Sequence, residues 1–503
     1  MPKMTVKSAS GVGGQSRVLL EPVFPGDLRQ MEFSSRPDEA GWSFARAAGR
    51  KQEFLKHLTV IQVTQTGYGL MEKPSGERHI GGVETFLETI NEHLALSYPM
   101  SIHVVCSTLN PKEKPYTVRK EGWKGEVIVH PTYKFGANFV KDCRQIVRLM
   151  NESDADVVHL HSPSNLSSLG VALAVNALDC GFSLTYHGQP GKLSWGINPV
   201  RALRRVREVF GEHWKADGWA SLGDFFMDLT SKGVGKLIPG QGLRLPVYKL
   251  AERSSRTPFV SYSLCGVSED SVREFGSLGG LVVGNPMDTG FFSPESVDSD
   301  RCERLKRGYG LEGKKVLICH GRICTGKNQH FLVECARDIQ ARLGDDMRVV
   351  LIGPVSDEKY HREVSELIRA NRLEDRVLLL QTATQEEIRD WLSIADVMVF
   401  PSLSEGLGRS GIEALSMETP VVAFRTGGIP DYITDGETGY LVEQGDKQAF
   451  VDSVCKVFAD PEKAAQMAAN GRRLVERKYS LDKVCKDYME LVFAPAAVAR
   501  RMR

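Results

Sequence analysis

Short apolar runs recur along this chain, and each gives way to a turn and then to a stretch with helical spacing. The first series is LTVIQVTQ (58–65), SIHVVCS (101–107), DVVHLHS (156–162) and GFSLTYHG (181–188). The second is KKVLICHG (314–321), MRVVLIG (347–353), DVMVFPS (396–402) and PVVAF (420–424). Apolar runs of strand length that alternate with helices suit parallel sheets, which are buried on both faces. Two such series predict an α/β chain of two doubly wound domains. VVGNPMDTGFFSPESVDSD (282–300) is rich in Gly, Pro, Asp and Ser, and sets the boundary within 280–312. The expected domains are 56–280 and 281–479, preceded by a polar, partly ordered extension over 1–55.

One stretch breaks the pattern. Residues 188–258 lack an obvious buried strand but hold Trp195, Trp214 and Trp219 and the basic run Arg201, Arg204, Arg205 and Arg207. An amphipathic insertion with a solvated basic face is the plain reading. An acceptor-binding or membrane-surface element is the functional one.

Composition narrows the partners. Lys plus Arg is 64 and Asp plus Glu is 63, for a net charge of +1, which disfavours nucleic acid as the main partner. No apolar run approaches the roughly 18–20 residues needed to span a bilayer. The opening MPKMTVKSAS lacks the apolar core of a secretory signal. Ten cysteines occur with no Cys-x-x-Cys pair, as expected of reduced thiols in the cytoplasm.

Ligands of doubly wound sheets bind beyond the carboxyl ends of the strands. After KKVLICH comes Gly321-Arg322-Ile-Cys-Thr-Gly326-Lys327-Asn328. This nearly matches the P-loop pattern, but Asn328 stands where a hydroxyl would hold Mg²⁺. Arg322 and Lys327 at a strand-to-helix turn still suit a diphosphate, the one as a planar fork and the other as a point charge. After DVMVF comes Pro401-Ser-Leu-Ser-Glu405-Gly-Leu-Gly-Arg-Ser-Gly-Ile-Glu413-Ala. A helix beginning near Gly408 would leave Glu405 in the loop and carry Glu413 more than one turn inside. Carboxylates so placed suit sugar or ribose hydroxyls, and glycines let backbone N–H groups approach a ligand. Gly81-Gly82 opens a helix after the first run, and His187 ends the TYH run. Taken singly, these last two are weak signals with ordinary structural readings.

Together these pieces resemble a known family. In order over roughly 58–495 come Gly81-Gly82, DVVHLHS, TYHG, GVSE (266–269), VVGNPMDTGFFSP, HGRICTGKNQ and VFPSLSEGLGRSGIEALSMETPVVAFRTGGIPDYITDGETGYLV. The pattern is similar to that of the family-four retaining glycosyltransferases, also described as glycosyl transferases group 1. The resemblance implies the GT-B fold, two facing Rossmann-like domains with the active site in the cleft between them. It implies that YSLDKVCKDYMELV, within 480–503, is the helix that crosses back to the first domain. It implies that Arg322 and Lys327 neutralise the donor diphosphate and that Glu413 binds the ribose hydroxyls. Glu405 would hold hydroxyls of the transferred sugar, and Gly406, Leu407 and Gly408 would offer backbone N–H groups. Gly81 and Gly82 would cap the diphosphate from the other domain, and His187 would approach the sugar. The chain departs from the family's usual wording at Arg409-Ser-Gly-Ile and at Met417-Glu418-Thr419, and neither is expected to touch a charge-handling position.

The implied reaction moves a sugar from a nucleoside diphosphate, with UDP favoured, to an acceptor hydroxyl with retention. No cofactor and no metal is expected. Asp154-Ala-Asp156 and Asp298-Ser-Asp300 match the Asp-x-Asp of metal-dependent transferases but read as solvated charge. His159 and His161 share a strand face without an evident third ligand. The acceptor is left open among a lipid, a polysaccharide, a small molecule and a protein, with a cytoplasmic setting and room for peripheral contact on a membrane's inner face. The competing readings are a nucleotide-sugar epimerase of GT-B fold, a P-loop-like NTPase, a non-catalytic sugar-nucleotide binder and a DNA-base glycosyltransferase.

Overall fold

A computed structural model describes residues 57–64, 82–108, 110–134, 139–161, 171, 180–187, 262–265, 283–381, 383–494 and 496–497. All of them fall within one compact unit, His57–Arg503. The 1–55 extension, Gly81, the 188–258 insertion with its basic run, and GVSE (266–269) lie outside the described residues.

The first sheet is built from β1 (Leu58–Val63), α1 (Gly82–Ser97), β2 (Met100–Thr108), β3 (Tyr116–Val118), β4 (Glu126–Tyr133), α2 (Phe139–Ser153), β5 (Val157–His161), β6 (Gly181–His187) and β7 (Tyr262–Cys265). Its strand order is β3-β4-β2-β1-β5-β6-β7. Every pair is parallel except β3 with β4.

The second sheet is built from α3 (Ser299–Tyr309), β8 (Lys315–His320), α4 (Gln329–Leu343), β9 (Met347–Ile352), α5 (Glu358–Ala370), β10 (Val377–Leu380), α6 (Gln385–Ile394), β11 (Val397–Phe400), α7 (Arg409–Ser416), β12 (Val421–Phe424), β13 (Tyr440–Val442), α8 (Lys447–Ala459) and α9 (Pro461–Tyr479). Its order is β10-β9-β8-β11-β12-β13, all parallel. Counted in chain order, that is the 3-2-1-4-5-6 order of a Rossmann sheet. The first sheet repeats it once its antiparallel edge strand is set aside. In the second sheet the order reverses between β8 and β11, so the crevice for a ligand opens where those two strands end.

The pleat explains why these runs carry so little polar alternation. Leu317, Cys319, Val349, Leu351, Val397, Val399, Val422 and Phe424 pack into one core, against residues of α4, α5 and α8. Their neighbours Val316, Ile318, Val350, Ile352, Met398, Phe400, Val421 and Ala423 pack into another, against α6 and α7. Successive side chains of a strand face opposite ways, so a sheet covered on both sides needs apolar residues at every position.

The chain after α9 returns to the first sheet. Leu481–Asp487 forms α10, continued by a π-helical turn over Tyr488–Phe493. Asp482 Oδ1 meets His93 Nε2 of α1 at 2.7 Å, and the Tyr488 hydroxyl lies 3.0 Å from Thr185 Oγ1 of β6. The outgoing and returning strands of chain touch: Met287 donates its N–H to Tyr479 O at 2.7 Å, and Leu481 donates to Met287 O at 3.1 Å.

One charge reading needs correction. Asp156 is buried, not solvated: its Oδ2 accepts the Thr59 N–H at 3.0 Å, at the edge where β1 and β5 begin. A carboxylate replaces the backbone partner that the sheet's end lacks. Asp298 is exposed but has a task too, capping α3 by accepting from Asp300 N and Arg301 N. His159 has both ring nitrogens engaged, Nδ1 with Ser183 Oγ at 2.7 Å and Nε2 with Thr185 Oγ1 at 2.8 Å. That makes it a core residue of the sheet. No helix among the described residues is long and apolar enough to cross a membrane.

Candidate active site

Two loops meet beyond the switch point of the second sheet. The first leaves β8 through Gly321, makes a 3₁₀ turn over Thr325–Lys327, and enters α4 through Asn328 at φ 58°. The second leaves β11 at Pro401 and enters α7 through Gly408 at φ 79°. They are laced together: Leu403 donates its N–H to Gly326 O at 2.9 Å, and Asn328 Nδ2 donates to Pro401 O at 3.3 Å. Asn328, the residue that spoils the P-loop pattern, is thus a tie between the loops. Gln329, fully buried, holds the Arg322 carbonyl through Nε2 at 3.0 Å.

Between the loops lies a pocket of about 260 Å³ lined by Arg322, Cys324, Gly326, Lys327, Ser404, Glu405 and Gly406. Arg322 is exposed on its rim. Lys327 and Glu405, expected to serve different parts of a ligand, form an ion pair with each other. Lys327 Nζ also stands over the Phe400 ring, 5.3 Å from its centre. An ammonium has three donors and a carboxylate about four acceptor sites, so the pair leaves both groups with capacity for a ligand. The Leu407 side chain is buried in the core, which leaves only its backbone to serve a ligand. Gly408 O accepts the Tyr432 hydroxyl at 3.0 Å, which pins the start of α7.

The loop conformation rests on Gly427. It adopts φ +53°, and a Cβ there would overlap the Glu405 carbonyl oxygen. Its neighbour Gly428 donates to Gly406 O at 2.6 Å. The TGGIP segment is part of the sequence pattern, but this role depends on a contact distant along the chain and no local signal marks it.

Glu413 sits in the second turn of α7, buried. Its Oε1 accepts Arg409 Nε at 2.9 Å, and its Oε2 lies 3.4 Å from His320 Nε2. This overturns the expectation that Arg409 stays clear of the charge-handling positions. A helix stacks residues four apart on one face, so an Arg at the first position meets a Glu at the fifth. His320, at the end of β8, also directs Nε2 to Ser410 O at 3.2 Å. A carbonyl only accepts, so that nitrogen carries the proton. Burial pushes the His320 pKa below its ordinary value, and the Glu413 charge acts in the opposite direction. The sequence reading missed His320 because it closes a buried apolar run.

The remaining candidates lie on the first sheet. Gly82 is the first residue of α1, the helix that follows β1. His187 is the last residue of β6, in register with Cys265 of β7, and its side chain lies outside the described residues, as does Gly81.

Residues 303–474, which hold both loops, match the family described as Glycosyl transferases group 1, and residues 80–217 match that described as Glycosyltransferase Family 4. The stretch that carries both loops is therefore a group 1 glycosyl transferase domain. Among its relatives is the GDP-mannose-dependent alpha-(1-6)-phosphatidylinositol monomannoside mannosyltransferase of Mycolicibacterium smegmatis, 26% identical over 78% of this chain and 89% of that one. The alpha-D-kanosaminyltransferase of Streptomyces kanamyceticus is 32% identical, over 38% of this chain and 48% of the relative. The chain spans about half the length of that second relative. A glycosyltransferase structure from Rickettsia africae matches with a TM-score of 0.62 at 16% identity, covering 88% of this chain and 98% of that one. Anabaena HepE in complex with UDP matches with a TM-score of 0.59 at 17% identity, covering 86% and 99%. The chain has the GT-B fold of two Rossmann-like domains.

Proposed function

We propose that the chain transfers a hexosyl group from a nucleoside-diphosphate sugar to an acceptor hydroxyl, with retention at the anomeric carbon and without a metal ion. The observation that carries this reading is the convergence of Arg322, Lys327 and Glu405 on one pocket at the switch point. Two cations suit the charge that grows on a departing diphosphate, and a carboxylate between sugar hydroxyls orients the ring. Glu413 takes the ribose hydroxyls, and the N–H groups of Gly406, Leu407 and Gly408 approach the donor. Gly82 and His187 belong to the opposite wall of the cleft, with Gly82 near the diphosphate and His187 near the sugar. Glu405 is already bound to Lys327, which suits a hydroxyl-orienting group better than a covalent nucleophile. The acceptor oxygen then attacks on the face that the leaving group vacates, and the departing phosphate oxygen takes its proton.

UDP is the favoured donor nucleotide, on the frequency of UDP-sugars in the family. A GDP-mannose donor is the second reading, supported by the mannosyltransferase relative that this chain covers over 89% of its length. Inositol phosphates and their lipids come first in an acceptor screen, since several relatives are named for acting on them. The test incubates the chain with UDP- and GDP-sugars and these acceptors, with and without excess chelator. Glycosylated product in the presence of chelator is expected. Turnover that needs Mg²⁺, or donor isomerisation without transfer, contradicts the reading.

A further inference from the structure

The first residue of α7 is set against local helix energetics. Arg409 places a cation at the end where the helix dipole is positive, and Arg preceding Glu by four residues is the weaker order of such a pair. The pair is also largely withdrawn from water, with the Arg409 side chain 20% exposed and that of Glu413 11%. Arg409 Nη1 is buried without a hydrogen-bond partner among the described residues. Such an arrangement costs stability, and the fold gains nothing visible in return. It does gain a fixed carboxylate. Arg409 Nε holds one oxygen of Glu413, and the His320 ring stands beside the other. The clamp abuts the diphosphate pocket: a Cβ placed on Gly321 would lie 3.6 Å from Lys327 Cε and 3.7 Å from Ser410 Oγ.

We infer that Arg409 is a positioning residue that holds the Glu413 carboxylate ready for the paired 2′ and 3′ hydroxyls of a nucleotide's ribose, and thereby sets the preference for ribonucleotides over 2′-deoxyribonucleotides. The inference rests on the proposed role of Glu413. A carboxylate held on one oxygen by a planar guanidinium keeps lone pairs free in known directions, whereas an untethered one rotates and loses the geometric match to a diol.

The test is titration calorimetry with UDP and 2′-deoxy-UDP, and with GDP and 2′-deoxy-GDP, on the full chain and on R409M, E413Q and the double variant. Wild type is expected to prefer the ribonucleotide by about tenfold or more. R409M and E413Q should each cut that ratio to about threefold or less, and the double variant should fall no further, because Arg409 acts through Glu413. Inorganic pyrophosphate binding should stay unchanged in R409M. A wild-type ratio in R409M overturns the inference, and so does an additive loss in the double variant. If wild type binds no nucleotide, the donor reading itself fails and the inference with it. If R409M does not fold, R409Q is measured in its place against the same outcomes.

Discussion

Replacing Lys327 by Ala separates what that residue does for the fold from what it does for a ligand. Its side chain is 16% exposed and that of its partner Glu405 is 9%, so the ion pair is mostly dehydrated. Breaking a fully buried pair costs roughly 3–5 kcal/mol, because the surviving charge is left without compensation. An exposed pair costs roughly 0–1 kcal/mol. The exposures here put the loss near the middle, about 2 kcal/mol, or a melting temperature lower by about 4–8 °C. Adding Glu405→Gln removes the stranded charge, so the double variant should recover most of that loss, to within about 1 kcal/mol of wild type. Catalysis should not recover. A positive group aimed at charge developing on a leaving diphosphate contributes about 10²–10³-fold, and the neutral double variant still lacks it. Differential scanning fluorimetry reads the first effect. Chromatographic rates of nucleoside diphosphate release in the presence of acceptor read the second. K327A turning over within about threefold of wild type would refute the assignment, as would recovery of activity in the double variant.

Further outcomes follow from specific contacts. Gly427→Ala puts a Cβ against the Glu405 carbonyl and forces an unfavourable φ, so it should lower stability by about 1–3 kcal/mol and raise the donor KM, measured by melts and initial rates. Asp156→Ala strands the Thr59 N–H, so it should cost about 1–3 kcal/mol while the rate per folded molecule stays at wild type, with or without added Mg²⁺. His103 is pushed down to about 4, chiefly by burial and next by His130, whose Nε2 lies 3.0 Å from its Nδ1. The unfolded chain binds this proton from about pH 6.5 downward and the native state only near 4. Stability should therefore fall by up to about 3 kcal/mol between pH 6.5 and 4, and less steeply in H103Q, as read by urea melts across that window.

Much of this fold is legible in the sequence because a parallel sheet covered on both faces needs predominantly apolar runs. LTVIQV, KVLICH, MRVVLI and VMVF are four such runs, and each is a strand. β4 escapes because EVIVHPTY alternates, with one side of the strand only half-buried. β13 and β3 are too short, at three residues each, to stand out from a loop. The site divides the same way. Arg322, Lys327 and Glu405 directly follow strand ends, and the topology alone brings those ends together. The tasks of Arg409, His320 and Gly427 are not legible. Arg409 looks like a surface substitution until the helix brings Glu413 over it. His320 looks like the last residue of an apolar run, and Gly427 answers to a carbonyl on another loop. The burial of Asp156 is not legible for a related reason: its partner is the Thr59 amide, remote along the chain.

The central claim, that the pocket of Arg322, Lys327 and Glu405 serves retaining transfer from a nucleotide sugar, is tested most directly by NMR of the product. The chain is supplied with an α-linked UDP- or GDP-sugar, an inositol-containing acceptor and excess chelator. The account predicts a glycoside with the anomeric configuration of the donor. A glycoside of inverted configuration, or no transfer to any acceptor while both nucleotides fail to bind, would contradict it.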